Sequence, residues 1–294
     1  MENVTSSSLV TIIVNTFGND IRQNVAVESW HNLQEVFPGK VEIIDLQFVD
    51  EQDTFQSPYT IPVRHVLEKS SLTLEPRSIK KLPLIFEMIE KGFAESTTPY
   101  ILYTNSDVML LPKVIDYIDK KRPDCMAGSR MDIAPIESFR EVMEDKAIIA
   151  RYEIAGFDFF VFEREWFSNH RKYFDYDFVV GRQFFDIDYA GMMVLFGKKY
   201  HIANDAIPMA VHIHHGSASV TTECPENEHN WQVHHSDPLL QVAYNVMFFN
   251  LQHNLCKRTP WGVFIKPTPE ETLYQDIFFN TMNVHHPNQL RMPS

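Results

Sequence analysis

Cysteine is scarce. Cys125, Cys224 and Cys256 are the whole set in 294 residues, and no two are spaced as C-x-x-C. An odd, sparse set argues against a disulfide framework and fits reduced thiols in a cytoplasmic setting. No run reaches the ~18 uninterrupted apolar residues that a membrane-spanning helix needs. The opening MENVTSSSLV has no basic segment followed by an apolar stretch, so no secretory leader is expected and the sequon Asn3-Val4-Thr5 carries little weight. Basic residues are also in deficit, 26 Lys+Arg against 39 Asp+Glu, for a net charge of −13. A surface of that sign repels polyanions, which argues against a nucleic-acid partner but leaves room for a local basic pocket. Internal repeats and low-complexity tracts are absent.

Apolar residues are well supplied. At 44 % hydrophobic, the chain can build one large α/β domain or two small ones. Leu9–Asn15 and Val41–Leu46 are short β-branched runs. Between them Ala26, Trp30, Leu33 and Phe37 recur at helical spacing, stopped by Pro38-Gly39. That is a βαβ unit, and it puts the polar loop after Asn15 at the carboxyl end of a sheet, where ligands of open α/β folds bind. From Val49 to Arg77 no period emerges, so an irregular excursion with at most a short helix is expected. Ser78 can cap a following helix whose stripe is Leu82, Ile85, Phe86, Ile89 and Phe93. Lys80 and Lys81 would then fall in its first turn, either solvated or facing a diphosphate. Strands are expected at Tyr100–Tyr103, Asp124–Ser129, Phe157–Phe162, His201–Ala203 and Ala210–Ile213. Helices are expected after Pro112, over Glu137–Arg151, over Arg164–His170, over Phe185–Phe196 with Gly197 closing it, and from Pro238 to about Leu255. A polar, histidine-containing loop is expected up to Ser236.

Three groups carry candidate chemistry. Tyr100–Tyr103 breaks into Asn105-Ser106-Asp107. Asn and Asp are ordinary turn residues, but a carboxylate at the end of a buried strand can also hold a hard divalent cation against phosphate oxygens. His212-x-His214-His215 follows another strand candidate. At period two, His212 and His214 share a face and His215 opposes them, so the first two are a possible ligand pair and otherwise a solvated strand edge. Asp186 stands at the start of a helix. An acid there is favoured by the helix dipole alone, and it is also placed to act as a general base. Asp158 is a second candidate base, or a carboxylate that binds an acceptor.

The segments LVTIIVNTFGN, KKLPLIFEMIEKGFAE, YILYTNSDVMLLP, GFDFFVFEREWF and FVVGRQFFD, followed by the late histidines, together resemble a GT-A-fold glycosyltransferase. The branch is one in which TNSD or TNAD stands in for the usual DxD, and the likeness runs from about residue 8 to 216. It implies a Rossmann-type, mostly parallel central sheet flanked by helices, with a C-terminal helical extension. Residues 1–256 would form a single catalytic domain, and residues 257–294 a tail packed on it or partly ordered. The implied activity is metal-dependent transfer of a sugar from a UDP- or GDP-sugar to a hydroxyl acceptor. Asn15, Thr16, Phe17, Lys81, Asn105 and Asp107 would bind the donor. Mn²⁺ or Mg²⁺ would sit on Asp107 with His212 or His214, and Asp186 would be the base if the reaction inverts. Asn105 occupies the first acidic position of DxD, so one carboxylate is lost and the metal leans on histidine. Two rivals remain. A sugar-1-phosphate nucleotidyltransferase needs a glycine-rich, arginine-containing loop, whereas Asn15–Asp20 has one glycine and no arginine. A non-catalytic nucleotide-sugar-binding or protein-interaction module on the same fold is the other.

Overall fold

The computed structural model describes residues 8–18, 20–152, 156–203, 208–215 and 224–258. In chain order the elements are β1 Val10–Val14, α1 Ile21–Val36, β2 Val41–Phe48, β3 Val63–Leu67, α2 Ser71–Leu74, α3 Ile85–Glu95, β4 Tyr100–Thr104 and β5 Val108–Leu110. Then come α4 Pro112–Lys121, β6 Cys125–Gly128, β7 Met131–Ile133, α5 Arg140–Met143, β8 Ile149–Tyr152, β9 Phe159–Glu163 and α6 Arg164–His170. The last are α7 Phe185–Phe196, β10 Tyr200–Ala203, β11 Ala210–Ile213, α8 Pro225–Ser236 and α9 Pro238–Arg258.

Seven strands form the main sheet in the order β10-β6-β9-β4-β1-β2-β3. All neighbours are parallel except β9, which runs antiparallel to both β4 and β6. Both faces are covered, so alternate residues of one strand enter different cores. Ile12 and Val14 pack with Trp30 of α1 and Ile115 of α4, while Ile13 packs with α3. Phe159 and Val161 join the first core, and Phe160 and Phe162 join the second with Phe185 and Tyr189 of α7. Burial on both faces is why these strands read as unbroken apolar runs.

Beyond β4 the chain leaves the main sheet and enters a smaller one, β5-β11-β7-β8. Helix α1 anchors its first strand: Trp30 Nε1 donates to the Val108 carbonyl at 3.1 Å, and the Leu110 N–H donates to Ser29 Oγ at 3.0 Å. The small sheet is thereby fixed beside the carboxyl ends of β1 and β4.

Several expectations are corrected. Helix α3 begins at Ile85, not near Ser78, because Pro83 disfavours helix before it and Leu84 bridges to Val179. Lys80 and Lys81 therefore precede the helix. The expected helix over 137–151 is a single turn, since Asp145 takes a positive φ of 55° and the chain then enters β8. The irregular excursion contains an edge strand, β3, and residues 225–236 form α8, not a loop. The expected tail, residues 257–294, lies outside the described residues beyond Arg258. No helix among the described residues is long and apolar enough to cross a membrane.

Helices α7 and α9 approach at Gly191, where a Cβ would stand 2.0 Å from the Ala243 carbonyl oxygen. Gly191→Ala is expected to push the helices apart and cost about 1–3 kcal/mol in urea unfolding. An unchanged midpoint would contradict this packing.

Candidate active site

Register assembles the site. β11 runs antiparallel to β5 with His212 opposite Val108, one residue from Asp107. On its other side β11 is parallel to β7, with His212 opposite Asp132. The His212 ring therefore lies between two carboxylates. Its Nδ1 is 3.0 Å from Asp132 Oδ1 and its Nε2 is 3.3 Å from Asp107 Oδ2. His215 Nε2 is 3.8 Å from the same Asp107 oxygen, and Arg22 of α1 reaches it at 4.0 Å. One ligand atom each from Asp107, His212 and His215 lies within 4.8 Å of the others, a spacing that could hold a metal ion.

A second group is built on β9. Asp158 faces Asn105 across the sheet: the Asn105 N–H donates to the Asp158 carbonyl at 3.0 Å, and Asn105 Nδ2 donates to Asp158 Oδ1 at 2.9 Å. Tyr103 hydroxyl completes the amide by donating to Asn105 Oδ1 at 2.8 Å. Arg130 donates to Asp158 Oδ1 and, at 2.8 Å, to Asp132 Oδ1. Asp158 Oδ2 is buried and meets no hydrogen-bond partner among the described residues.

Apart from the buried Asp132, these groups line a cleft of about 810 Å³ that also carries Phe17, Lys80, Arg182, Phe184, Asp186 and Tyr244. Its electrostatics are uneven. Burial alone would raise the Asp107 carboxyl, but the imidazoles of His212 and His215, with Arg22, outweigh it and hold the group well below the usual carboxylate range. Burial would lower His212, yet Asp107 and Asp132 push it up. Asp158 is raised because burial exceeds the opposing charge of Arg130. Asp186, in the first turn of α7, accepts the Phe157 N–H at 3.0 Å, and burial still pushes it up to about 7.

No protein-family model and no curated protein sequence matches the chain. Solved structures do. Residues 1–349 of S. aureus TarS in complex with UDP-GlcNAc align with a TM-score of 0.50 over 93 % of this chain and 80 % of that chain, at 11 % identity. The chain has the GT-A fold. The mannosyltransferase PcManGT from Pyrobaculum calidifontis, in complex with GDP-Man and Mn²⁺, aligns with a TM-score of 0.42 over 96 % of this chain and 82 % of that chain, at 12 % identity.

Within this GT-A fold the expected donor residues separate. Asn15 and Phe17 line the cleft, with Phe17 61 % exposed. Thr16 is buried and structural: its N–H and hydroxyl both donate to Asp45, at 3.1 and 2.5 Å. Lys81 turns away to Asp50 and Glu51 and lies over the Phe48 ring, while Lys80 faces the cleft. Of the two expected ligand histidines, His214 points to Asp132 at 3.3 Å, and His215 takes its place beside Asp107. Strand β11 ends at Ile213, so alternation no longer governs the next two residues. Sequence reading missed Arg22, Arg130, Asp132 and Arg182. Arg22 is in the first turn of α1, two residues from its cap Asp20, and was findable as the first cation after the β1 loop. The others depend on long-range register.

Arg130 pairs with two carboxylates that are almost fully buried. Arg130→Met is expected to destabilise the fold by about 3–5 kcal/mol in denaturant titration, because Asp158 would keep its burial and lose its paired cation, and Asp132 would be left with histidine alone. A loss below ~1 kcal/mol would show that solvent reaches both.

Proposed function

We propose that this protein is a metal-dependent glycosyltransferase that moves a sugar from a nucleoside-diphosphate sugar to a hydroxyl acceptor. The observation that carries the reading is the Asp107–His212–His215 cluster at the carboxyl edge of the GT-A sheet, inside the cleft. One carboxylate oxygen and two imidazole nitrogens suit Mn²⁺ better than Mg²⁺, which prefers oxygen ligands throughout. With Nδ1 donating to Asp132, the His212 ring is held so that Nε2, on giving up the proton it shares with Asp107, would offer its lone pair to a cation between them. A cation bound there would offset the charge that grows on the departing diphosphate.

The remaining roles belong to side chains. Arg22, Lys80 and Arg182 bring positive charge to the cleft of an otherwise acidic protein and suit the donor phosphates. Phe17 offers an exposed ring face to the nucleobase. Asp186 is assigned as the base. It takes the acceptor hydroxyl proton as that oxygen bonds to the anomeric carbon, and the bond from that carbon to the diphosphate breaks with its electron pair leaving on the phosphate oxygen. Asp158, pinned by Arg130 and Asn105, is assigned to holding Asn105 and the turn that carries Asp107.

Nucleotide release from a panel of UDP- and GDP-sugars with Mn²⁺ tests the reading. Asp107→Ala should abolish release while the chain still folds cooperatively, and full activity would remove the metal assignment. His215→Ala should raise the Mn²⁺ concentration needed for half-maximal activity by about tenfold or more, and His214→Ala should not. The transfer rate should climb as pH rises through about 7, because Asp186 is protonated and inert as a base below that value. In Asp186→Asn the rate should be low and flat across this range. A wild-type profile preserved in that variant would place the base elsewhere.

A further inference from the structure

At the mouth of α7 the backbone does something that helix formation does not call for. Phe184 takes φ 74°, ψ −44°, and the Phe185 N–H closes back on the Gln183 carbonyl at 3.1 Å, a γ-turn with a bulky residue at its centre. That conformation is strained for any residue with a Cβ, and strain of this kind persists only where surrounding contacts enforce it. Phenylalanine has no group that could cap the helix, so initiation of α7 gives no reason for the ring.

Asn227 and Asn230 of α8 hold the Gln183 backbone on one side of this turn, and the contacts of the Phe184 ring itself are aromatic and lie at the cleft. The Phe184 ring stacks on His234 of α8, with centroids 4.8 Å apart and planes 21° apart, and stands 6.0 Å from Tyr244 of α9. His234 and Tyr244 meet at 5.1 Å and 61°. His234 is itself fixed from behind, its Nδ1 2.9 Å from Asp188 Oδ2, and both groups are buried. Asp188 and His234 have no part in the reaction as assigned; their hydrogen bond holds the ring on which Phe184 rests. Phe184 and Tyr244 both line the cleft, and Asp186 lies two residues beyond Phe184. Burial, and after it the charges of Asp188 and Asp186, push the Tyr244 phenol up, so its hydroxyl stays protonated.

We infer that Phe184 and Tyr244 form a platform for a pyranose ring, so that the acceptor is a carbohydrate whose C–H face stacks on the two aromatics and whose hydroxyl edge meets Asp186. The inference rests on the transferase reading above and adds the acceptor class to it. A pyranose has the matching chemistry: one largely apolar ring face, and a rim of hydroxyls suited to a phenol and a carboxylate. A peptide serine or an open-chain polyol offers the hydroxyl without the face.

The test is ligand-observed saturation-transfer NMR on the whole chain, without nucleotide, using methyl hexopyranosides and the corresponding open-chain hexitols. At least one pyranoside should bind through its ring C–H protons, and its hexitol should bind at least tenfold more weakly. Phe184→Gly accommodates the positive φ and should keep the fold, yet it should weaken the pyranoside at least tenfold. Tyr244→Ala should do the same independently, and Phe184→Trp should retain binding. Absence of pyranoside binding, equal binding of hexitols, or undiminished binding in Phe184→Gly would each overturn the platform. Nucleotide release is scored separately: pyranoside binding with no release from any donor would overturn the transferase reading and leave the platform standing.

Discussion

A chain of alternating charge joins the two sheets. Arg22 approaches Asp107, Asp107 meets His212, His212 meets Asp132, and Arg130 spans Asp132 and Asp158 before Asn105 and Tyr103 close the series. Much of it is buried. Pairing in such a place offsets desolvation more than it adds stability, and the loss of one member strands another. Its consequence is positional. Asp107 sits on a turn between sheets, and the His212 and Asp158 contacts tie that turn to both of them. The fold's candidate chemistry thus depends on one imidazole reaching two carboxylates through strand register.

In the proposed metal site a single Asp would serve where a DxD pattern would place two acids. Asn105 brings no charge, and its amide donates to Asp158 and accepts from Tyr103, which holds the turn. Negative charge is supplied by Asp107 alone, and the neighbouring donors are nitrogen. Beside it the base candidate, Asp186, occupies a different environment: no cation among the described residues pairs with it, and burial raises it where histidine lowers Asp107. Two carboxylates in one cleft are thereby driven apart in proton affinity, which separates a ligand role from a proton-accepting role.

The sequence made visible those parts that follow from local physics. Strands β1, β2, β4 and β9 are buried on both faces, so their apolar runs identify them, and α7 is apolar enough to be recognised end to end. Strand β3 is a half-exposed edge, VRHVL, and β5 and β7 have three residues each, too few for a period to register. Helix α8 was hidden for another reason. Its buried face is polar: Asn230 donates to the carbonyls of Val179 and Gln183, Asn227 accepts the Gln183 N–H, and His234 meets Asp188. Hydrophobic periodicity is blind to a helix docked by hydrogen bonds. At the site, Asp107, Asp186 and His212 were legible as candidates, whereas the exchange of His214 for His215 and the bridging role of Arg130 arise from pairings roughly 30 to 100 residues apart in sequence.

The central claim is that Asp107, His212 and His215 form one metal site. Pulsed EPR of Mn²⁺ bound to the whole chain in the presence of a nucleoside diphosphate tests it most directly. The account predicts coupling to imidazole nitrogen from two histidines, reduced to one in His215→Ala and unchanged in His214→Ala. Mn²⁺ bound with no nitrogen coupling, or coupling lost in His214→Ala but kept in His215→Ala, would contradict it.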